Sequence, residues 1–360
     1  MRVVNSMDFY KKYSGTIKRH LSTGALVLGF VWDSFTLGRQ DSVYGNVVIL
    51  SYLFLAAVGI ILINLGRERF KKRTTLWLTA LVQFCFGNLA SGLFVLYSQS
   101  ATLTGNWPFF FILGGFAVGN EFARSKYARI YFQISVLYLL LFAYSALALP
   151  VFLGEMGPRI FFYSGIVSVG VLTLYLVLFR MLAPQALSGN RTRLYGAVFG
   201  IFVVFNGLYF LNLIPPVPLV LKDVGIFHSA VKIQGGYWVS YEAPTKYEFF
   251  KRADVIYHAP LGVTAYCFSS VFAPDGLAIP INHRWEYYDA VTRDWKTASL
   301  ISFPISGGRE EGYRGVSEKS LVSEGKWRCN VETNQGALVG RHTITFIDIS
   351  IPPLLVTETR

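Results

Sequence analysis

The sequence predicts an α-helical membrane bundle of seven spans followed by an all-β extracytoplasmic sandwich. Long apolar segments fill residues 1–213, whereas short runs of period-two alternation separated by turn residues fill the C-terminal third. With 53% hydrophobic residues and a mean hydropathy of +0.43, the 360-residue chain is too apolar for an ordinary soluble protein. We therefore expect a transmembrane helical domain (1–213), a proline-rich elbow and linker (214–235) and a β-sandwich domain (236–360).

Seven segments approach the length of about 20 mostly apolar residues that a helix needs to cross the hydrocarbon core. The first and fourth are short and carry polar groups. Gly115-x-x-x-Gly119 and Gly196-x-x-x-Gly200 are small-residue pairs that predict close packing between helices. The seven predicted spans are Leu21–Leu37, Val47–Leu65, Leu76–Ser98, Trp107–Phe122, Ile130–Phe152, Ile160–Leu182 and Leu194–Leu213.

The distribution of basic residues predicts the orientation of this bundle. Residues 1–213 hold 18 basic and 6 acidic residues, whereas residues 214–360 hold 15 of each, so the whole net charge of +12 lies in the apolar half. With the N-terminus inside, the inner segments carry 16 basic residues and the outer loops only Arg39 and Arg159. This bias predicts a multi-pass protein of the plasma (inner) membrane with a cytoplasmic N-terminus and an extracytoplasmic β domain. It also argues against nucleic acid as a partner, because the basic excess lies between membrane segments.

The transition between the two halves is marked by prolines. Pro215, Pro216 and Pro218 end the last predicted helix, since proline has no N–H to continue it, and they make the junction stiff. Beyond it, Trp327, Cys329 and Val331 occupy alternate positions, as the side chains of a strand with one buried face do. Turn signals such as Pro274-Asp275-Gly276, Gly307-Gly308 and Asn334-Gln335-Gly336 separate such runs. Several short strands at this spacing indicate an antiparallel sandwich.

Three blocks of the C-terminal half, INHRWEYYD, GGREEGYRGVSEK and GKWRCNVETNQGALVG, occur in a specific order and spacing. Together with GFVWDSFTLGRQD, LIPPVPLVLKDVGIFH and VFAPDGL upstream, they resemble a bacterial family of multi-spanning membrane proteins with a C-terminal β-sandwich domain of unknown function. The resemblance covers most of the chain. It implies a membrane protein of the cell envelope and implies no activity.

Polar and aromatic residues of the β half form the candidate binding cluster. Arginines beside aromatic rings suit carboxylates, phosphates or sugars, so the ligand would be an envelope glycan, a lipid headgroup or a protein partner. In the alternative, which the residue types favour, Trp285 and Trp327 anchor the core and the arginines pair with nearby glutamates. The candidates are His283, Trp285, Arg309, Tyr313, Arg314, Ser317, Lys319, Trp327 and Arg328.

A second set of polar residues lies inside or beside the predicted spans. An ionisable group within a span is costly and usually faces a partner or a cavity. These residues therefore indicate either an ion or substrate path around Asp33 and Arg39, or internal salt bridges that fix helix packing. The second interpretation is favoured, because a single acidic residue makes a poor proton relay. The set is Asp33, Arg39, Asp41, Asn88, Asn120 and Glu121.

Signatures of catalysis and metal binding are missing from the sequence. It contains no GxSxG, HExxH or GxxxxGK[ST] motif, and its five histidines are scattered, so we predict no metal and no cofactor and lean against an enzyme. Two alternatives stay open for Cys267 and Cys329, a disulfide or two unpaired core cysteines. The predicted function is a membrane protein whose β-sandwich binds an envelope component or partner protein. The alternative is a membrane transporter or enzyme with a site around Asp33 and Arg39, near the outer ends of the helices.

Overall fold

A computed structural model describes residues 31, 35, 37–65, 72–100, 103–122, 129–187, 189, 191–243, 255–349 and 353–360. Asp33 and most of the first predicted span therefore lie outside the described residues. The chain divides into two compact units. The first takes the helical part up to Leu211 apart from Ser98–Asn106 and Pro150–Ile160, and the second takes those two segments together with Asn212–Arg360.

The N-terminal part of the chain is helical. Five of its helices are long and apolar enough to cross a membrane, namely α1, α2 from Arg73 onward, α4, α5 and α6. Helix α3 is not among them, because asparagines, a proline and a glutamate lower its hydropathy. The helices in the described part of the chain are α1 (Val43–Leu65), α2 (Lys72–Ser98), α3 (Leu103–Phe122), α4 (Ile130–Leu153), α5 (Pro158–Leu182) and α6 (Arg191–Phe210).

Close approaches between helices occur at other glycines than those expected. A Cβ atom added to Gly59 would lie 2.6 Å from Val82, and one added to Gly165 would lie 2.9 Å from Phe202. A Cβ on any glycine of the pairs 115/119 and 196/200 would meet no described heavy atom within 4 Å. The prediction of close packing at these pairs is therefore wrong for the packing that the structure describes. Aromatic rings fill the helical core instead, with centroids 4.8 Å apart for Phe142 and Phe205.

The C-terminal part is built from β-strands. A three-stranded sheet has the order β1-β5-β8, a five-stranded sheet the order β4-β10-β9-β6-β7, and a further three-stranded sheet the order β11-β3-β2. All pairings are antiparallel except that of β4 with β10. The strands are β1 (Val220–Phe227), β2 (Ser229–Ile233), β3 (Gly236–Glu242), β4 (Ile256–Ala259), β5 (Ala265–Phe272), β6 (Ala278–Asp289), β7 (Asp294–Ser306), β8 (Tyr313–Lys319), β9 (Gly325–Thr333), β10 (Leu338–Asp348) and β11 (Leu355–Thr359).

One apolar core is shared by the five-stranded sheet and the β1-β5-β8 sheet. Ile226 and Cys267 reach it from β1 and β5, and Trp285, Cys329 and Phe346 reach it from β6, β9 and β10. These five side chains are essentially inaccessible to solvent. Because successive side chains of a strand point to opposite faces, the residues between them lie on the other face of the five-stranded sheet.

The range 214–235, expected to be elbow and linker, contains two strands. Residues Ile214–Leu219 are buried, and β1 begins at Val220 and pairs with β5 along its length. Strand β2 follows after one residue and pairs with β3. The chain thus enters the sheets soon after the last helix, in a segment that contains several valines and isoleucines, residues that favour strands.

The turns expected at Pro274-Asp275-Gly276 and at Gly307-Gly308 pack against each other. The Gly307 N–H donates to the Leu277 carbonyl (2.9 Å) and the Gly308 N–H to the Ala273 carbonyl (3.1 Å). A Cβ at Gly307 would lie 1.7 Å from the Pro274 carbonyl oxygen, so only glycine fits there. These contacts fix the end of the β6–β7 hairpin.

Candidate ligand-binding face

Three of the predicted binding residues form a buried polar group in the core. The two ring nitrogens of His283 lie 2.7 Å from Ser269 Oγ and 2.8 Å from Ser317 Oγ, and the Trp285 indole N–H donates to the same Ser317 oxygen at 3.0 Å. His283 and Trp285 are fully buried and Ser317 is 3% exposed. Burial lowers the pKa of His283 to about 3, so the ring is neutral at neutral pH. A ligand does not reach these groups in this conformation.

The same core contains the two cysteines of the β half. Cys267 on β5 and Cys329 on β9 are joined by a disulfide, so the bond links two different sheets. Their sulfurs and a ring nitrogen of His283 all lie within 4.8 Å of one another. Three such atoms could hold a metal ion only with both cysteines reduced. In the bonded state the sulfurs are not thiolates, and both histidine nitrogens already face serine hydroxyls.

The second tryptophan of the predicted cluster is also a core residue. Trp327 is 4% exposed, and its indole N–H donates to the Ser323 carbonyl at 2.8 Å. Its ring packs near that of Tyr287, with centroids 5.7 Å apart. Both tryptophans thus have the environment of core anchors, as in the alternative that the residue types favour.

The remaining predicted residues lie in two separate places. One place is β8 and the turn before it, in the β1-β5-β8 sheet, which carries Arg309, Tyr313, Arg314 and Lys319. Arg314 donates to the Gly235 carbonyl (2.6 Å) and to Glu311 (2.5 Å), and the Arg309 guanidinium lies 5.3 Å from the centroid of the Tyr313 ring. Arg328 lies on β9 of the five-stranded sheet. The nine residues therefore do not converge on one site.

The polar residues of the helical half make local interactions where the structure describes them. Arg39 forms a bidentate pair with Asp41, through bonds of 3.0 and 2.7 Å. The Asn88 side chain donates to the Phe84 carbonyl one helical turn earlier (2.9 Å). Asn120 and Glu121 belong to the last turn of α3, and Asp33 is outside the described residues. The Arg39–Asp41 pair has the form expected of a structural salt bridge.

A row of charged and amide side chains crosses the five-stranded sheet on the face opposite the core. We call this surface the polar face and define it by Asn282, Arg284 and Glu286 of β6, Arg328, Asn330 and Glu332 of β9, and Arg341 of β10. Arg284 pairs in register with Asn330, and Asn330 with Arg341, so these three residues stand side by side on adjacent strands. Sequence reasoning missed this grouping, although Arg328, Asn330 and Glu332 alternate with the core residues of β9.

Ion pairs and amide hydrogen bonds join the members of the polar face. The Arg284 Nε donates to Glu332 (2.9 Å), and the Arg328 Nε donates to Glu286 (2.5 Å). Asn330 donates to the same Glu286 oxygen (2.8 Å) and accepts from the Arg341 Nε (2.5 Å). The three bonds from arginine Nε atoms each hold a guanidinium in a fixed orientation, which is the pre-organisation that a binding surface requires.

The charges of the polar face are layered. The Glu332, Glu286 and Arg328 side chains are 9%, 11% and 15% exposed, whereas the Arg284 side chain is 30% exposed and Arg341 is exposed. Burial raises the pKa of Glu332, and Arg284 opposes this shift. Burial and then the nearby Arg328 lower the pKa of Arg341, and Glu286 and Glu332 oppose this shift. The carboxylates and Arg328 thus form the floor of the face, and the Arg284 and Arg341 side chains form the part that solvent reaches.

Aromatic side chains border the polar face. The Arg328 guanidinium lies 4.1 Å from the centroid of the Trp295 ring on β7, a cation–π distance. Tyr288 lies edge-on to Trp295, with ring centroids 5.4 Å apart, and the Lys326 ammonium lies 6.0 Å from the Tyr288 ring. One edge of the face therefore offers partly exposed aromatic rings next to cations.

A further cluster of ionisable groups joins different sheets. Glu242 lies at the end of β3. Its Oε1 atom accepts from the backbone N–H of His258 (2.5 Å) and lies 3.4 Å from His228 Nε2, and its Oε2 atom lies 2.8 Å from His258 Nδ1. The His228 ring stacks on Tyr257 at 3.9 Å between centroids. Burial lowers the pKa of His228, against the effect of Glu242, which raises it. The cluster ties β3 to β4 by charge and hydrogen bonding.

Comparison with known proteins gives a domain of unknown function. A protein-family profile described as "Protein of unknown function (DUF2914)" matches residues 280–345. This range contains every residue of the polar face and, in whole or in part, every strand of the five-stranded sheet except β4. No curated protein matches the chain.

Two solved structures are similar to the chain at low scores. One is a β-glucosidase from Listeria innocua in complex with gluconolactone, at 8% identity and a TM-score of 0.19, with 33% of this chain and 17% of that chain covered. The other is the alkylpurine DNA glycosylase AlkC from Pseudomonas fluorescens bound to DNA containing an abasic site analog, at 9% identity and a TM-score of 0.23, with 86% of this chain and 100% of that chain covered. The chain spans about a sixth of the length of the first. Neither similarity is close enough to support an argument about fold or function.

Proposed function

We propose that this chain is a multi-pass protein of the bacterial plasma membrane that presents its β domain outside the cytoplasm, where the polar face binds a component of the cell envelope. The observation that carries the proposal is the polar face itself. It holds three arginines in fixed orientations beside two largely buried carboxylates on one face of a sheet. Partly burying these charged side chains costs free energy of desolvation. A binding role explains why the sheet carries them.

The proposed topology has seven spans. The five apolar helices account for five of them. The other two are Leu21–Leu37 and α3, whose 20 residues extend about 30 Å, enough for the hydrocarbon core. Seven spans with the N-terminus inside keep 16 basic residues on the cytoplasmic side and two on the outer side, whereas six spans would break that alternation.

The proposed architecture of the β domain is a sandwich. The β1-β5-β8 sheet and the five-stranded sheet supply side chains to one core, and the Cys267–Cys329 disulfide joins β5 of one to β9 of the other. Trp285 lies beside Cys329 in the register of β6 and β9, and a tryptophan against an inter-sheet disulfide is also a feature of antibody sandwich domains. A disulfide also fits an oxidising compartment, which supports an extracytoplasmic location.

The topology is tested by fusing alkaline phosphatase after Arg360. We expect activity in intact cells, because that enzyme folds only outside the cytoplasm, and we expect no activity from a fusion placed in the loop 183–190. Activity of the second fusion with an inactive first fusion would contradict the proposed orientation.

Binding is tested by retention on the native envelope. The full-length protein, solubilised in detergent, is passed over immobilised cell-wall material from the source bacterium, and wild type is compared with Arg341→Gln. Arg341 is suited to this test because its Nε bonds to a neutral amide, so its removal leaves no buried carboxylate unpaired. We expect wild type to be retained and Arg341→Gln to elute earlier. The matched control is Arg314→Gln, which changes an arginine of the β1-β5-β8 sheet and should be retained as wild type is. Equal retention of wild type, Arg341→Gln and Arg314→Gln would show that the polar face is not the binding surface.

A further inference from the structure

The free hydrogen-bonding groups of the polar face indicate which ligand it takes. Arg328 and Arg341 use their Nε atoms for Glu286 and Asn330, and neither makes a hydrogen bond from its Nη atoms to any residue that the structure describes. Arg284 has a single weak Nη contact, 3.5 Å to Thr297 Oγ1. The outer edge of a guanidinium with two Nη groups binds a carboxylate or phosphate through two parallel bonds. The face therefore offers fixed oxyanion receptors.

The placement of these receptors on separate strands suits a polymer. Arg284 and Arg341 are separated by β9, with Asn330 between them in register. Neighbouring strands are about 4.8 Å apart, so the backbones that carry the two arginines lie about 10 Å apart across the sheet. A chain that carries repeated anionic groups can contact both.

An acceptor beside the arginines favours a sugar acid over a bare phosphate chain. The Asn282 Oδ1 atom has no donor among the described residues, but it is buried and a ligand does not reach it in this conformation. Glu332, its register partner, uses one carboxylate oxygen for Arg284, and no hydrogen bond to the other oxygen is found in the described part of the chain. A bare phosphate chain, ionised at neutral pH, has no hydroxyl to donate to the second Glu332 oxygen. A sugar acid supplies both the carboxylate for the arginines and a hydroxyl group for this oxygen.

The aromatic edge completes the set of contacts. Trp295 and Tyr288 are half-buried, and Trp295 already stacks with the Arg328 guanidinium. Aromatic side chains at the border of a polar surface provide flat apolar area for sugar rings, while their neighbours make the polar contacts.

We propose that the polar face binds an acidic glycan, a polymer of sugars that carry carboxylates, with Arg284 and Arg341 holding carboxylates and the second Glu332 oxygen accepting from a hydroxyl group. This inference rests on the proposed function and names the ligand class of the same face. The exposed groups are cationic and the anionic groups lie beneath them, so a neutral sugar would leave the guanidinium edges without their preferred partners.

The experiment measures the binding of fluorescent oligogalacturonates to the full-length protein in nanodiscs of zwitterionic lipid. The probe carries one carboxylate per sugar, and the matched probe is the same oligosaccharide with its carboxylates reduced to alcohols. We expect the acidic probe to bind wild type and to bind Arg341→Gln about tenfold more weakly or worse, since a charge-assisted bidentate contact is lost. Arg284→Lys keeps the charge opposite Glu332 but loses the planar fork, so it should also bind more weakly. Arg314→Gln should bind as wild type does.

Four results would overturn the inference. An affinity of Arg341→Gln and Arg284→Lys within twofold of wild type would place binding elsewhere, such as on the basic loops of the helical half. Equal binding of the reduced probe would indicate a neutral sugar, and displacement of the probe by polyphosphate at equal charge would indicate recognition of charge alone. Finally, if Arg341→Gln loses retention on envelope material while no acidic probe binds wild type, the proposed function stands and the acidic-glycan class is rejected.

Discussion

Acidification should destabilise the β domain through His283, which is buried in its core. The His283 ring is fully buried between two serine hydroxyls, and burial lowers its pKa to about 3. In an unfolded chain a histidine titrates near pH 6.5. The unfolded state therefore takes up the proton first. The stability that the neutral ring contributes is complete above about pH 6.5 and is lost as the pH falls towards 3.

The size of this effect follows from the difference between the two pKa values. Each unit is equivalent to about 1.4 kcal/mol, so the full loss below pH 3 is about 5 kcal/mol, and the loss at pH 4.5 is about 2.7 kcal/mol. The perturbation is His283→Gln, which keeps a donor and an acceptor for Ser269 and Ser317 but does not titrate.

The assay is denaturant unfolding of the full-length protein in detergent, followed by pulse proteolysis of the β domain at pH 7 and pH 4.5. Carboxylates elsewhere titrate equally in both proteins, so the comparison isolates the histidine. Wild type should lose about 2.7 kcal/mol more than His283→Gln between the two pH values. Equal losses in the two proteins would refute the reasoning, because the ring would then be open to protonation in the folded state.

Two further predictions concern stability. Gly307→Ala should destabilise the β domain by more than about 2 kcal/mol in urea unfolding, because the added Cβ would meet the Pro274 carbonyl oxygen 1.7 Å away, and a wild-type midpoint would contradict the packing of the two turns. Replacing both Cys267 and Cys329 by alanine removes the disulfide and should lower the free energy of unfolding by about 4 kcal/mol, since the bond closes a loop across 62 residues, so the midpoint of thermal unfolding should fall. The control Cys85→Ala, in the helical half, should leave the stability of the β domain unchanged. An unchanged midpoint in the double variant would reject a stabilising disulfide.

The apolar helices could be predicted from the sequence because their signal is local. A span must satisfy its own backbone hydrogen bonds and be apolar along its whole length, so hydropathy alone indicates Val43–Leu65 or Ile130–Leu153. Helix packing is not local. The glycine pairs 115/119 and 196/200 have the spacing of a packing motif, but the close contacts form at Gly59 and Gly165, where a large side chain of another helix fits.

In the β domain, the sequence predicts which residues of β9 alternate between the two faces, but it does not predict which strands pair with one another. The order of residues in β9 shows that Arg328 and Trp327 must point to opposite faces, so they could not belong to one exposed cluster. Nothing local to β9 indicates that β6 and β10 lie on its two sides. The polar face depends on that pairing, because it places Arg284 and Arg341 on either side of Asn330. The disulfide could not be predicted for the same reason: β5 and β9, which carry its two cysteines, are distant in sequence.

The central claim, that the polar face is the ligand-binding surface, is tested most directly by arginine labelling of the wild-type protein. The full-length protein in nanodiscs is treated with an arginine-specific glyoxal reagent with and without oligogalacturonate, and modification at each arginine is measured by mass spectrometry. We predict that ligand protects Arg284 and Arg341 and leaves Arg314 and Arg309 as reactive as before. Protection of Arg314 and Arg309 with unchanged labelling of Arg284 and Arg341 would contradict the account.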